Sequence, residues 1–389
     1  MKILHVGKYF PPHAGGMETY LRDLMAELSR QGLENIALVH KSDISLKTGR
    51  ENYLTGEQGL EVVRAAVWAR LLFTPISPGF PWQLRKLIRQ QKPDILHLHM
   101  PNVSAFWVLF LPRARRIPWV IQWQSDVLAS RHSLGLRLFY RLYRPFERMM
   151  LKRCKAVIAS SPTYLESSAP LKGFREKCTV VPLGLDPAFI PPAPAHPATD
   201  ADPALRVLAI GRFTYYKGFE YLLRAAAAAQ RVEVHLVGDG ELRRPLQRLA
   251  GDLGIAERVT FHGHLSSPAL SEQYAACDCV CLPSIERTEA FGLVLLEAMY
   301  FSKATVISEV PGSGMGWIVD HGVTGLKVPP GDAGALADAF RQLGDDRATL
   351  ARFGENGRTR FDQQFHICRS GAGIIEIYTR LLPALEQPA

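Results

Sequence analysis

The sequence predicts an α/β protein built from two parallel-sheet domains that face each other across a cleft. Three observations predict it. The length of 389 residues exceeds one typical domain. Short apolar runs alternate with helical periodicity in both halves, as in sheets covered on both faces. A proline-rich break separates the halves. Apolar residues make up 47% and charged residues 21% of the chain, which suits a globular protein and argues against disorder.

The first half, residues 1–186, opens on the apolar run Ile3–Val6. A loop with Pro11, Pro12, Gly15 and Gly16 follows. Glu18–Gln31 then shows helical periodicity, with Gly32 as its C-cap. Further strands are expected at Ile36–His40, Ile95–Leu98, Trp119–Trp123, Ala156–Ala159 and Thr179–Pro182. The linker, 187–204, carries Pro187, Pro191, Pro192, Pro194 and Pro197. The second half, 205–365, restarts the alternation with strands at Val207–Ile210, Glu233–Val237, Val259–Phe261, Cys279–Leu282 and Thr305–Ile307. A last helix over roughly 366–385 follows, and this C-terminal segment, 366–389, can fold back on the first domain; pattern alone does not show where it packs.

Cys277, Cys279 and Cys281 alternate, which places all three on one strand face as buried apolar residues. Zinc-type spacings are absent, and no metal site is expected. Met1–Gly7 runs directly into a strand without a secretory apolar region, and the longest apolar stretch, 104–112, is far short of the ~20 residues of a spanning helix. A cytoplasmic protein is expected, docking at the inner face of the membrane for the following reason.

Net charge is +9, but residues 1–190 hold 27 Lys and Arg against 14 Asp and Glu, or +13, and the remainder 19 against 23, or −4. The first half therefore suits an anionic partner. No nucleic-acid recognition motif accompanies it, so a nucleic-acid partner is not expected. Within it, Arg131–Lys155 has eight basic residues and one Glu. Leu134, Leu138, Leu142, Phe146 and Met149 or Met150 recur at helical spacing, with Arg137, Arg141, Arg144 and Arg148 between them. A basic amphipathic helix on an anionic membrane fits this pattern. A helix packing its apolar stripe on the sheet, with its arginines solvated, fits it too.

Three loops at predicted strand ends carry candidate chemistry. Gly211–Gly218 places Arg212 and Lys217 ahead of a helix over Phe219–Ala229, a suitable cradle for a diphosphate; two solvated charges are the alternative. The second loop, 283–299, holds Glu289 before an apolar helix and Glu297 one turn inside it. A carboxylate among apolar residues needs partners, and sugar or ribose hydroxyls would supply them; a carboxylate at an exposed helix start is the alternative for Glu289. The third loop, Ile121–Asp126, ends a strand with Gln124 and Asp126. Asp126 suits either an acceptor hydroxyl or a helix N-cap. His97 and His99 lie on one strand face, but no third ligand is near in sequence, which favours structural or substrate-lining histidines over a metal pair.

Arg212 with Lys217, followed by Glu289 and Glu297 with seven residues between, resembles the family-4-type (group 1) retaining glycosyltransferases of GT-B fold. Pro11–Glu18, His97-Leu98-His99, Val181–Asp186, Val237–Gly240 and Asn356-Gly357 look like further landmarks, so the resemblance covers nearly the whole chain. It implies two Rossmann-like domains, with Arg212 and Lys217 on the donor diphosphate, Glu297 on the ribose and Glu289 on the transferred sugar. It also implies that the amides of Phe291, Gly292 and Leu293 meet sugar or phosphate, and that Leu265 lies against the base. Gly15 and Gly16 would let backbone approach the phosphate. Similar sequences carry histidine where Gln124 stands; Gln124 cannot hold a proton but can hydrogen-bond a hydroxyl.

The implied activity is metal-independent, retaining transfer of a hexose, with mannose first, to a glycan or lipid-linked acceptor in polysaccharide assembly. No cofactor is implied; the substrate is GDP-mannose first, UDP-hexose second. A UDP-sugar enzyme with a small soluble acceptor, a sugar-nucleotide epimerase and a sugar-nucleotide sensor stay open.

Overall fold

Strand β1 (Lys2–Val6) is buried from Ile3 onward and sits inside an eight-stranded sheet in the computed structural model, which describes residues 1–55, 58–71, 74–127, 134–192 and 204–382. The other strands of the first half are β2 (Glu34–His40), β3 (Gly49–Thr55), β4 (Gln58–Ala65), β5 (Ala69–Leu71), β6 (Thr74–Ile76), β7 (Ile95–Met100), β8 (Trp119–Trp123), β9 (Ala156–Ala159) and β10 (Cys178–Val180). The order across the sheet is β10-β9-β8-β7-β1-β2-β4-β3, and every pair is parallel except β3 with β4; β5 and β6 form a separate ribbon. The order reverses between β1 and β7, and the loops beyond that point diverge to leave a crevice.

The second sheet holds β11 (Leu205–Ile210), β12 (Val232–Val237), β13 (Val259–Gly263), β14 (Cys279–Leu282), β15 (Ala304–Ser308) and β16 (Gly325–Val328). Its order, β13-β12-β11-β14-β15-β16, is all parallel and reverses between β11 and β14. Its core joins Val207, Ala209, Val234, Leu236, Cys279 and Cys281 to helix residues such as Leu222, Leu336 and Phe340.

The chain divides into two units: Met1–Gly184 with the segment from Ile367 onward, and Leu185–His366. The Ile367–Leu381 helix therefore belongs with the first sheet. It lies along the Gly16–Arg30 helix, where Ser370 and Tyr20 share a hydroxyl hydrogen bond of 2.8 Å. Gly371 allows that approach, since a Cβ there would come within 2.6 Å of Glu27 Cγ. Tyr378 reaches His97 Nδ1 at 2.6 Å. Such contacts lie hundreds of residues apart in sequence, beyond the reach of local periodicity.

Some expectations need correction. The β3–β4 hairpin and β16 do not stand out in the sequence, because GRENYLT and QGLEVVRA lack a sustained apolar run and GLKV is only four residues long. The three cysteines do not share a face. Cys279 and Cys281 join the main core, but Cys277 caps the Ser267–Ala276 helix and packs with Tyr274 and Val280 in a separate cluster. Strand alternation begins only after it. Residues 193–203 of the linker and 383–389 of the tail lie outside the described residues.

Ile374 is fully buried under the last helix. Its truncation in Ile374→Ala should destabilise the first unit by ~2–5 kcal/mol, the range for buried aliphatic truncation. Tryptophan fluorescence during denaturation reports it, because of six tryptophans only Trp317 lies in the second unit. An unchanged midpoint would show that the helix contributes nothing.

Candidate functional site

The loops after β11 and β14 lie side by side at the point where the second sheet reverses. After β11 the chain makes a tight turn over Tyr215–Lys217 and passes through Gly218 at φ 67°. A Cβ on Gly218 would sit 2.1 Å from the Pro283 carbonyl oxygen, so only glycine admits this approach. The Ile285 amide donates to the Tyr216 carbonyl at 2.8 Å and locks the loops together.

The result is a buried ion pair. Lys217 Nζ lies 2.5 Å from Glu289 Oε2, with the two side chains 10% and 13% exposed. Burial, the largest single influence, acts to lower the ammonium's pKa; the charges of Glu289 and Tyr216 and the hydrogen bond to Glu289 together outweigh it and raise it instead. Ser284 Oγ reaches the same carboxylate at 3.4 Å, and Ser313 Oγ donates to the Glu289 carbonyl at 2.5 Å.

The other predicted donor residues are placed less directly. Arg212 is half exposed and meets Glu241 at 3.5 Å, so it is held by a carboxylate other than Glu289. Glu297 accepts from the buried Tyr274 hydroxyl, whose pKa is raised by burial first and by that carboxylate second. Phe291 is buried, Gly292 at φ 86° is the N-cap, and Leu293 begins the Leu293–Tyr300 helix, whose first turn has no side-chain cap. Leu265, partly buried, packs against the small cluster that includes Val280 and Tyr274.

In the first unit, Gly15 and Gly16 are exposed at the start of the Gly16–Arg30 helix, and a Cβ on Gly15 would fall 2.2 Å from Glu18 Oε2. A recess of about 10 Å³ opens where this sheet reverses, lined by Gly7, Lys8, Glu18, His99, Pro101 and Gln124 among others. Gln124 is buried, and neither amide atom has a partner among the described residues. Asp126 is engaged within the domain: its Oδ1 accepts from Trp123 Nε1 at 2.8 Å and Ser168 Oγ at 2.7 Å. Residues 128–133, where a helix capped by Asp126 would begin, lie outside the described residues.

The third histidine that sequence spacing did not offer is His5. Register sets it opposite His97 on the neighbouring strand, and nitrogens of His5, His97 and His99 come within 4.8 Å of one another. That spacing could hold a metal ion, but His5 Nδ1 and His99 Nε2 already contact each other at 3.2 Å. Burial lowers the pKa of all three, that of His5 to about 4. The histidine alternation in β7 was the legible signal; the partner on β1 needs the sheet order. Tyr274 and Ser313 were likewise unread, since each reaches its glutamate from another element, whereas Ser284 lies in the same loop as Glu289.

The basic helix, Leu134–Arg153, buries Tyr143, Glu147, Met150 and Leu151. Leu138 and Leu142, from the predicted stripe, are 62% and 67% exposed, beside exposed Arg141, Arg144 and Arg148. Trp107 and Phe110 add exposed rings, and Phe110 approaches Phe146 at 6.2 Å. The packed-stripe alternative therefore fails at Leu138 and Leu142. Residues 131–133 lie outside the described residues, as do the side chains of Leu134 and Arg137.

Two doubly wound sheets, each with polar residues at its order reversal, fit the GT-B fold. Residues 15–184 match the glycosyl transferase 4-like domain and 198–360 the glycosyl transferases group 1 family. O-antigen chain mannosyltransferase C from Escherichia coli is 30% identical over 98% of this chain and 99% of its own. D-rhamnosyltransferase WbpZ from Pseudomonas aeruginosa is 30% identical over 94% of this chain and 92% of its own. Sucrose-phosphate synthase from Thermosynechococcus elongatus superposes with a TM-score of 0.81 at 23% identity, over 98% of this chain and 99% of that one. The chain belongs to the group 1, family-4-type glycosyltransferases.

Glu147 gives a pH prediction. Burial, then the nearby Asp126 charge, pushes its pKa up to about 7. The folded state then holds a proton that the unfolded state releases near 4.5, so stability falls as pH rises from about 4.5 to 7. Glu147→Gln should remove a penalty on the order of 1–3 kcal/mol at pH 8 and little at pH 4.5. Equal melting shifts at both pH values would show that Glu147 does not titrate in this window.

Proposed function

We propose that the protein transfers a hexose, mannose first, from a nucleotide sugar to a glycan or lipid-linked acceptor in polysaccharide assembly. The buried Lys217–Glu289 pair carries the reading. A cation held beside a carboxylate at the reversal of a parallel sheet suits the two ends of a sugar diphosphate, with Lys217 facing phosphate and Glu289 facing sugar hydroxyls. Arg212, exposed at the rim, adds a planar group for the diphosphate. The uncapped Leu293–Tyr300 helix start offers amides to the same anion, and Glu297 suits the ribose hydroxyls.

Transfer is retaining and needs no divalent metal. Leaving-group stabilisation by oriented cations supplies most of the acceleration, and GDP-mannose is the first donor, UDP-hexose the second. Similarity to O-antigen chain mannosyltransferase C supports mannose. Equal identity to WbpZ supports D-rhamnose as the second reading for the sugar, and a donor panel separates them.

The protein docks on anionic membrane through the Leu134–Arg153 helix. Exposed Leu138, Leu142 and Met149 beside Arg141, Arg144 and Arg148 suit an interfacial helix. Among the described residues no helix is long and apolar enough to cross a membrane, so the contact is peripheral.

Arg212→Ala and Lys217→Ala should each slow nucleotide release by ~100–1,000-fold, the cost of removing one preorganised charge-stabilising donor. Near-normal turnover in both would defeat the donor-site assignment. Co-sedimentation with vesicles tests the surface. Binding to anionic vesicles should weaken as salt rises and fall further when Arg141, Arg144 and Arg148 become Gln, at ~1 kcal/mol per basic residue. Equal binding to neutral vesicles, or none to either, would contradict it.

A further inference from the structure

The strand-end recess of the first unit has polar walls whose hydrogen-bonding sense can be worked out atom by atom. Asn35 fixes the start. Its Nδ2 donates to the Leu33 carbonyl at 3.0 Å and the Met25 carbonyl at 3.4 Å, so its Oδ1 is the atom that faces His5. His5 Nε2 lies 3.1 Å from that Oδ1 and must donate to it. A neutral imidazole carries one N–H, so His5 Nδ1 is left as an acceptor. His99 Nε2, 3.2 Å away, must then donate to His5 Nδ1. The one remaining nitrogen, His99 Nδ1, is a bare acceptor.

Among the described residues that atom has no partner, although His99 is only 4% exposed. Gln124, 5% exposed, lines the same recess, and neither its Oε1 nor its Nε2 is bonded to any described residue. Buried polar groups without partners are costly and rare, so these atoms are matched to something that enters. The space, about 10 Å³, fits one water-sized group. A hydroxyl suits both groups, since it can donate to an unpartnered imidazole nitrogen and accept from an amide N–H.

We propose that His99 is an acceptor-binding residue: with Gln124 it holds one hydroxyl of the sugar acceptor, in a tautomer set by His5 and Asn35. The proposal rests on the transferase reading above. Gln124 cannot accept a proton, and among the described residues His99 is the histidine that lines the recess with it. Burial keeps the ring neutral well below the ordinary histidine range, so it orients the hydroxyl as an acceptor and does not become a cation. His5 and Asn35 are positioning residues that act through it.

Methyl α-mannoside is the probe. In the wild-type protein, nitrogen NMR of the histidines should show His99 as the Nε2–H tautomer, and titration with the probe should move the Nδ1 signal while leaving the tautomer unchanged. An Nδ1–H tautomer, or an Nδ1 signal indifferent to the probe (water as the only occupant), would overturn the proposal. Kinetics give a second test. His99→Leu should raise KM for the acceptor ~10–100-fold more than it changes kcat, and His99→Asn, whose Oδ1 can replace the lost acceptor, should recover most of that loss. Equal defects in both variants, or a fall in kcat alone, would also overturn it. If the wild type released no nucleotide from any sugar donor, the transferase reading would fail, while the titration would still decide the recess.

Discussion

Each half of this protein depends on a reversal of strand order. In a parallel sheet the helices after neighbouring strands cover the same face until the order turns; there the two loops part and leave polar backbone and side chains facing solvent. The second sheet turns between β11 and β14, and Lys217 and Glu289 stand on those two loops. The first turns between β1 and β7, and Gly7, Lys8 and His99 stand there. Central strands such as β7 and β14 anchor these positions, because they are buried on both faces.

The Lys217–Glu289 pair shows how local geometry sets the chemistry. Two charges taken out of water are compensated only by close mutual contact, and Gly218 makes that contact available by letting its loop touch Pro283. A ligand that brings negative charge to Lys217 and hydroxyls to Glu289 would satisfy both groups at once. The histidines of the first unit differ: buried, neutral and linked in a chain, they offer direction in place of charge.

Much of this was legible in sequence. Central strands with unbroken apolar runs, such as Trp119–Trp123 and Cys279–Leu282, stand out because both faces are buried. Lys217 and Glu289 were visible because both lie in polar loops directly after such strands. The edge hairpin β3–β4 was not, since its residues are half solvated and polar. His5 was hidden by register and Tyr274 by the path of its helix. The docking of the last helix depends on Gly371 and Ser370 meeting residues more than 340 positions earlier. The amphipathic stripe of the basic helix was legible, but which face is buried was not; Tyr143 and Glu147 face inward while Leu138 and Leu142 do not.

In the function proposed above, the loops after β11 and β14 bind the diphosphate of a nucleotide sugar. Calorimetric affinities of the wild-type protein for guanosine, GMP and GDP, and for uridine, UMP and UDP, test it most directly. A charge-assisted contact contributes roughly 1.5–3 kcal/mol, so one diphosphate should bind at least ~10-fold tighter than its monophosphate and the nucleoside weakest of all. Equal affinity across each series, or no binding by either diphosphate, would contradict the account.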